Sequence, residues 1–236
     1  MKPKIIHEDD SLIVLSKPSG WITNEASTTT NQPVIQKWIK EELDFEISKS
    51  REFRSGIVHR LDKETSGILL VAKTKHAFRH LQNQFKERIV KKEYTALAHG
   101  KIEPGEGVIK VPVGRLPWKR DRFGVVPGGR EAETSYKVVK YFNVDGKDYS
   151  LVECKPVTGR THQIRIHLQY LGHAIVSDEF YAGRKTARDD RMWCPRLFLH
   201  ASKIFFLHPK DEKEVNFESS ISPDLKKALL SLERES

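Results

Sequence analysis

Apolar and polar positions alternate along this chain with two different periods. Ile68, Leu69, Leu70, Val71 and Ala72 follow Ser66-Gly67 without a polar break, the length and branching of a buried strand behind a turn. Lys91 to His99 alternates instead. Glu93, Thr95, Leu97 and His99 fall on one face, and Lys92, Tyr94, Ala96 and Ala98 on the other. Ala132 to Asn143 and Lys147 to Lys155 alternate as well, joined by Asn143-Val144-Asp145-Gly146, a hairpin signal. Shorter strands are expected over Lys4–Asp9 and Ser11–Ser16, a strand pair or one long strand over Leu197–Leu207, and an edge strand at Val215–Phe217. Helical spacing appears in Gln32–Leu43, through Val34, Ile35, Trp38, Ile39 and Leu43, and in Lys75–Arg88, through Phe78, Leu81 and Phe85. A third helix is expected after Thr161 as N-cap, packing through Ile164, Leu168 and Leu171. A last one starts at Ser222-Pro223-Asp224 and packs through Leu225, Leu229 and Leu232.

The segments between these elements are polar. Lys17-Pro18-Ser19-Gly20 has turn chemistry. Glu25–Asn31 and Ser48–Ser55 read as loops, the second as mobile, and Gly183–Arg196 as a basic loop. Gly100–Gly129 is rich in Gly and Pro. From Lys110 to Arg130 it carries Lys110, Arg115, Lys119, Arg120, Arg122 and Arg130 against the single acid Asp121, with Trp118 and Phe123 interleaved. Cations for phosphates and rings for unstacked bases suit a single-stranded or looped RNA, so Lys119, Arg120 and Arg122 are candidate RNA contacts rather than a merely solvated hairpin tip.

The whole-chain charge supports that choice. The 236 residues carry a formal net charge of +9, with a pI near 9.4, a balance that favours polyanionic partners. No run approaches the roughly 18 apolar residues of a membrane span. The start, MKPKIIHEDDSLIV, lacks a secretory pattern, and Cys154 and Cys194 are far apart, which fits a reduced, cytoplasmic protein without a disulfide framework. His76 and His80, four apart on a helix, lack a third ligand nearby in sequence, so no metal is expected.

Ahead of the buried strand stand His59, Arg60, Asp62, Lys63 and Glu64, too polar to be buried unpaired. A charged loop tied to a core strand is either a salt-bridged turn or a rigidly presented functional group. Tyr94 shares its face with small residues, which leaves room beside its ring. The helix beginning near Arg160 would point N–H groups, and Arg160 itself, at an anion.

The surrounding words decide between these readings. KPSGW, HRLDKETSGILLVAKT, KKEYTALAHG, KPVTGRTHQIRIHL and LHASKIFFLHP, in that order, resemble the motifs of the RluA-type RNA pseudouridine synthases, over roughly Ile5 to Phe217. The resemblance implies an α+β fold with a mixed, mainly antiparallel central sheet flanked by helices and loops. It implies one catalytic domain over residues 1–236, without the N-terminal RNA-binding domain that many relatives carry. The implied reaction turns uridine in RNA into pseudouridine without cofactor or metal: the bond from the sugar to the ring nitrogen breaks, the base turns, and carbon 5 is joined instead. Asp62 matches the catalytic aspartate, acting as nucleophile or base. Arg165 matches the basic residue that pairs with it, and Tyr94 the tyrosine that stacks on the target base. Arg60 matches a residue that helps extrude the nucleotide, and Leu199 an apolar contact to the base.

Two departures concern local fit: Ser177-Asp178-Glu179-Phe180-Tyr181-Ala182 where the family usually has Gly-Asp-Pro followed by Tyr-Gly, and Leu197 where a Gln is common. The expected substrate is ribosomal RNA, with tRNA as the alternative, and the chain is expected to work as a monomer. The rival from another class is a non-catalytic RNA-binding or ribosome-assembly protein on the same fold. A glycosidic hydrolase would need a second acid, for which Glu64 is the nearby candidate.

Overall fold

The unbroken apolar run at Ser66–Ala72 forms a strand with every residue buried. In the computed structural model, which describes residues 2–29 and 31–235, the elements follow in chain order. They are β1 (Lys4–Glu8), β2 (Leu12–Lys17), α1 (Ile35–Glu42), β3 (Ser66–Ala72), α2 (Lys75–Lys86), β4 (Lys91–His99), β5 (Glu106–Lys110), β6 (Val113–Leu116), β7 (Lys119–Val125), β8 (Glu133–Val144), β9 (Lys147–Pro156), α3 (Gln163–Tyr170), α4 (Arg184–Asp190), β10 (Leu199–Leu207), β11 (Glu214–Glu218) and α5 (Pro223–Glu235). The architecture is mixed α+β, and its sheets are mainly antiparallel. The chain divides into two compact units, residues 1–91 with 201–220, and residues 92–200 with 221–236.

In the first unit the strand order is β1-β2-β3-β10, with β11 on β10. The register sets Leu12 opposite Ala72 and Val14 opposite Leu70. These residues, with Ile68, pack on Phe78 and Leu81 of α2 and on Ile204 and Phe206 of β10. The alternate residues Ile13, Leu15, Leu69 and Val71 are also fully buried. Burial on both faces is why the sequence there is continuous rather than alternating. Gly67 begins β3 at φ +115°, and a Cβ there would lie 2.2 Å from the Ala201 carbonyl oxygen, so glycine permits the approach of the β10 backbone. Arg54–Gly56 forms a short 3-10 turn with Ser55 and Gly56 buried, so the Ser48–Ser55 loop is anchored at Ser48, Phe53 and Ser55 while Lys49, Arg51, Glu52 and Arg54 are exposed.

In the second unit the order is β4-β9-β8-β5, with β6-β7 a separate hairpin. Tyr94 lies opposite Cys154, which lies opposite Tyr136. These three residues share a face, and Ile164 and Leu168 of α3 belong to the same core cluster as Cys154. Both thiols are buried and free, and burial raises Cys154 to about 12 and Cys194 to about 11. Helix α4 lies where the sequence suggested a basic loop. It is short, and its Gly183 cap makes no side-chain bond. Its anchors are tertiary: buried Ala187, and Asp190, whose carboxylate meets His99 at 2.9 Å and accepts the Ser177 N–H. Among the described residues no helix is long and apolar enough to cross a membrane.

Candidate functional site

The loop carrying Asp62 is fixed at the residues on either side of it. Thr23, 3% exposed, donates its hydroxyl to the Leu61 carbonyl at 2.8 Å and accepts the Leu61 N–H at 3.2 Å. The Lys63 carbonyl accepts the Gly20 N–H at 2.8 Å and the Lys17 ammonium at 3.2 Å. Lys17 is wholly buried, and its Nζ also donates to the carbonyls of Pro18 and Trp21. The KPSGW turn is thus a bracket for the HRLDKE loop. A buried ammonium bound to several carbonyls is tolerable where an unpaired one is not. Asp62 closes the loop by accepting the Thr65 N–H on its own carbonyl at 3.2 Å, and its side chain is half-buried. Arg60 is exposed.

The Thr23 bracket makes a stability prediction. Thr23→Val keeps the shape but strips both bonds from the buried Leu61 peptide, so the unfolding free energy should fall by about 1–3 kcal/mol. Thr23→Ser should recover most of it. Urea denaturation of the two variants provides the comparison, and equal losses would remove the hydroxyl from the explanation.

In the second unit Arg165 is 5% exposed. Its Nε and Nη2 donate to the two oxygens of Asp178 at 2.7 and 2.8 Å, and Asp178 is fully buried. Asp178 Oδ1 also accepts the N–H groups of Phe180 and Tyr181. The guanidinium lies 5.4 Å from the Phe180 ring centroid and 5.1 Å from that of Tyr181. This pocket could not be read from the spacing of the helix. Its sequence signal was the Asp178 turn, because Asp characteristically binds N–H groups two and three residues on.

Helix α3 starts one residue later than expected. Its N-cap is His162, at φ +57° and without a side-chain bond, rather than Thr161. The buried Gln163 side chain ties this corner instead. It accepts from Thr158 Oγ1 and the Arg160 N–H, and donates to Glu133 O and Thr134 Oγ1. Arg160 Nε donates to the Glu131 carbonyl.

Tyr94 is partly buried and packs on the apolar cluster that contains Leu199, itself 3% exposed. At the β6-β7 hairpin Lys119 is exposed, beside Trp118 at 78% exposure. The Arg120 side chain lies outside the described residues. Arg122 turns inward: its Nη1 donates to the Phe180 carbonyl at 3.1 Å, and its guanidinium lies 5.3 Å from the Phe180 ring. Arg122 and Arg165 therefore meet on one phenyl ring, and Tyr181 bonds the hairpin at the Phe123 carbonyl. His76 bonds the Pro209 carbonyl and His80 bonds Gln84. Among the described residues no group of three or more His, Cys, Asp or Glu side chains is arranged to hold a metal ion.

The first unit thus offers a carboxylate on a doubly anchored loop, and the second offers a buried arginine held in plane by a carboxylate of its own and a tyrosine at the edge of an apolar cluster. Comparison with known proteins gives these features a context. The family model for RNA pseudouridylate synthase matches residues 11–170. The chain is 38% identical over 229 residues to a ribosomal large subunit pseudouridine synthase C of Vibrio cholerae, covering 95% of this chain and 68% of that protein. It is 37% identical over 226 residues to a ribosomal large subunit pseudouridine synthase D of Nitrosomonas europaea, covering 94% of this chain and 63% of that one. The chain thus spans about two thirds of the length of these relatives. Among solved structures, human RNA pseudouridylate synthase domain containing 1 superposes with a TM-score of 0.70 at 26% identity, over 96% of this chain and 87% of that chain.

Proposed function

Because the chain belongs to the RNA pseudouridylate synthase family, a family of RNA-modifying isomerases, we propose that it converts uridine to pseudouridine in ribosomal RNA, with Asp62 carrying the reaction. The observation that supports this reading most directly is the bracket around Asp62. Backbone bonds at Leu61 and Lys63 fix the chain on either side of Asp62, which holds its carboxylate in one place as a reacting group requires. Arg165 supplies the positive charge the reaction needs, and its bidentate contact with Asp178 fixes its plane. Tyr94 stacks on the extruded base, Leu199 lines the apolar side, and Arg60 takes part in extruding the nucleotide, a step that costs a few kcal/mol. Lys119, Arg160 and the hairpin around Trp118 contact the RNA backbone and its unpaired bases. The names of both bacterial relatives refer to the large ribosomal subunit, which favours ribosomal RNA over tRNA. We place the enzyme in the cytoplasm, working as a monomer.

Isomerisation moves the sugar from nitrogen 1 to carbon 5 and expels the hydrogen from carbon 5. RNA transcribed with uridine tritiated at carbon 5 should therefore release tritium to water when the enzyme is added. Release from a ribosomal transcript is expected, and release from tRNA transcripts alone would move the substrate to tRNA. Free uracil in place of released tritium would mean hydrolysis, and the proposal would fall.

A further inference from the structure

Lys92 is a cation for which the described structure provides no counter-charge. It lies on β4, two residues before Tyr94, on the same face of the strand. Its side chain is partly buried. No described acceptor lies within hydrogen-bonding distance of its Nζ, and its environment offers desolvation without a compensating charge. Within its unit, the titratable side chains on that face nearest to it are Tyr94 and, across the ladder, Cys154 and Tyr136. Burial keeps both of the latter protonated at neutral pH. The adjacent α3 contributes another cation, Arg165, already bound to Asp178. The neighbouring carboxylate Glu93 lies on the opposite face, where Lys155 meets it at 3.0 Å and Glu153 at 2.9 Å. Lysine exposes its ammonium readily, so a lysine that surrenders hydration without a protein partner is a group set for an anion from elsewhere.

We propose that Lys92 is a substrate contact: its ammonium binds a backbone phosphate of the nucleotide whose base lies on Tyr94. This inference rests on the function proposed above, which supplies the base on Tyr94. Two residues along a strand separate Lys92 and Tyr94 by about 7 Å, within reach of a lysine stem and one nucleotide. A phosphate suits a compact point charge. Desolvation lowers the Lys92 ammonium to about 8, so the contact is present at neutral pH and weakens in mild alkali, where binding a phosphate must first restore the proton.

The test is RNA binding by the full chain, measured by fluorescence anisotropy with a ribosomal transcript from about pH 6.5 to 9, for wild type, Lys92→Met and Lys92→Arg. At pH 7 Lys92→Met should bind about tenfold more weakly, with its salt slope reduced by about 0.7–0.9 for the one lost phosphate contact. Wild-type affinity should fall towards that of Lys92→Met as the pH passes the lysine's titration, while Lys92→Arg stays charged and flat. Because Lys92→Met removes a desolvated charge, its melting temperature at neutral pH should equal or exceed that of wild type, which separates lost binding from lost folding.

The sign follows from proton binding. Between about pH 8 and the ordinary lysine value near 10.5 the unfolded chain holds the proton and the native chain does not. Wild-type stability therefore rises with pH there, and the gap to Lys92→Met closes. Equal affinity of wild type and Lys92→Met at pH 7 would overturn the proposal. So would a loss confined to kcat at unchanged affinity, which would make Lys92 a proton-transfer group. Should Lys92→Met fail to fold, the pH profile of Lys92→Arg decides. A wild type that binds RNA but releases no tritium would sink the proposed activity and leave the binding comparison to judge Lys92 by itself.

Discussion

Asp62→Asn should lose tritium release by roughly 10⁴-fold or more, the scale seen when a reacting side chain is removed from a catalytic unit, while RNA binding stays within a few-fold of wild type. The amide keeps the size and planarity of the carboxylate but has no negative charge. It serves neither as a nucleophile at the sugar nor as a base, so both roles open to Asp62 fail together. The fold should survive, because the bonds that bracket the loop fall on backbone atoms of Leu61 and Lys63, from Thr23, Gly20 and Lys17. Single-turnover tritium release and a parallel binding titration provide the check. If Asp62→Asn still turned over, the carboxylate would be excluded from the chemistry and Glu64, two residues on, would be the next residue to replace.

The second large effect lies at Asp178. Asp178→Ala takes the carboxylate from a buried arginine and two acceptor bonds from the Phe180 and Tyr181 N–H groups. Breaking a buried ion pair from one side costs about 3–5 kcal/mol, because a charge remains where water cannot reach it. That is a large part of the roughly 5–15 kcal/mol of a typical domain. Replacing both partners with apolar residues, Asp178→Leu with Arg165→Met, should recover much of the stability, since the desolvation cost disappears with the charges. It should not recover turnover, because the charge we propose Arg165 to supply is then gone. Urea denaturation together with tritium release separates the two: a double variant as unstable as Asp178→Ala would assign the cost to the turn rather than to the pair.

Much of the local structure was legible because local rules decide it. The continuous run after Gly67 became β3, the alternation in KKEYTALAH became β4 over the expected residues, and Pro223 opens the last helix. Boundaries moved where a side chain from elsewhere settled them. Gln163, rather than a Thr161 cap, ties the corner before α3. Helix α2 ends at Lys86, and Arg88 sits at φ +61°. The short α4 carried no cap signal to distinguish it from a loop.

The sequence by itself determined the family, the α+β class and the residues that carry the motif words, because those depend on residue identity, spacing and period. It also placed Tyr94 and Lys92 on one face, because alternation along a strand is local. Only the tertiary structure decided which groups are paired. Lys17, written in the sequence as part of a turn, is a buried ammonium that holds the Asp62 loop. Arg122, one of a run of surface-like cations, is folded in against Phe180. Arg165 gained its carboxylate from Asp178, thirteen residues on, whereas Lys92 gained desolvation and no described partner. The physical reason is that burial and pairing are properties of contacts between distant segments. A charged residue's cost or use depends on what those contacts place beside it.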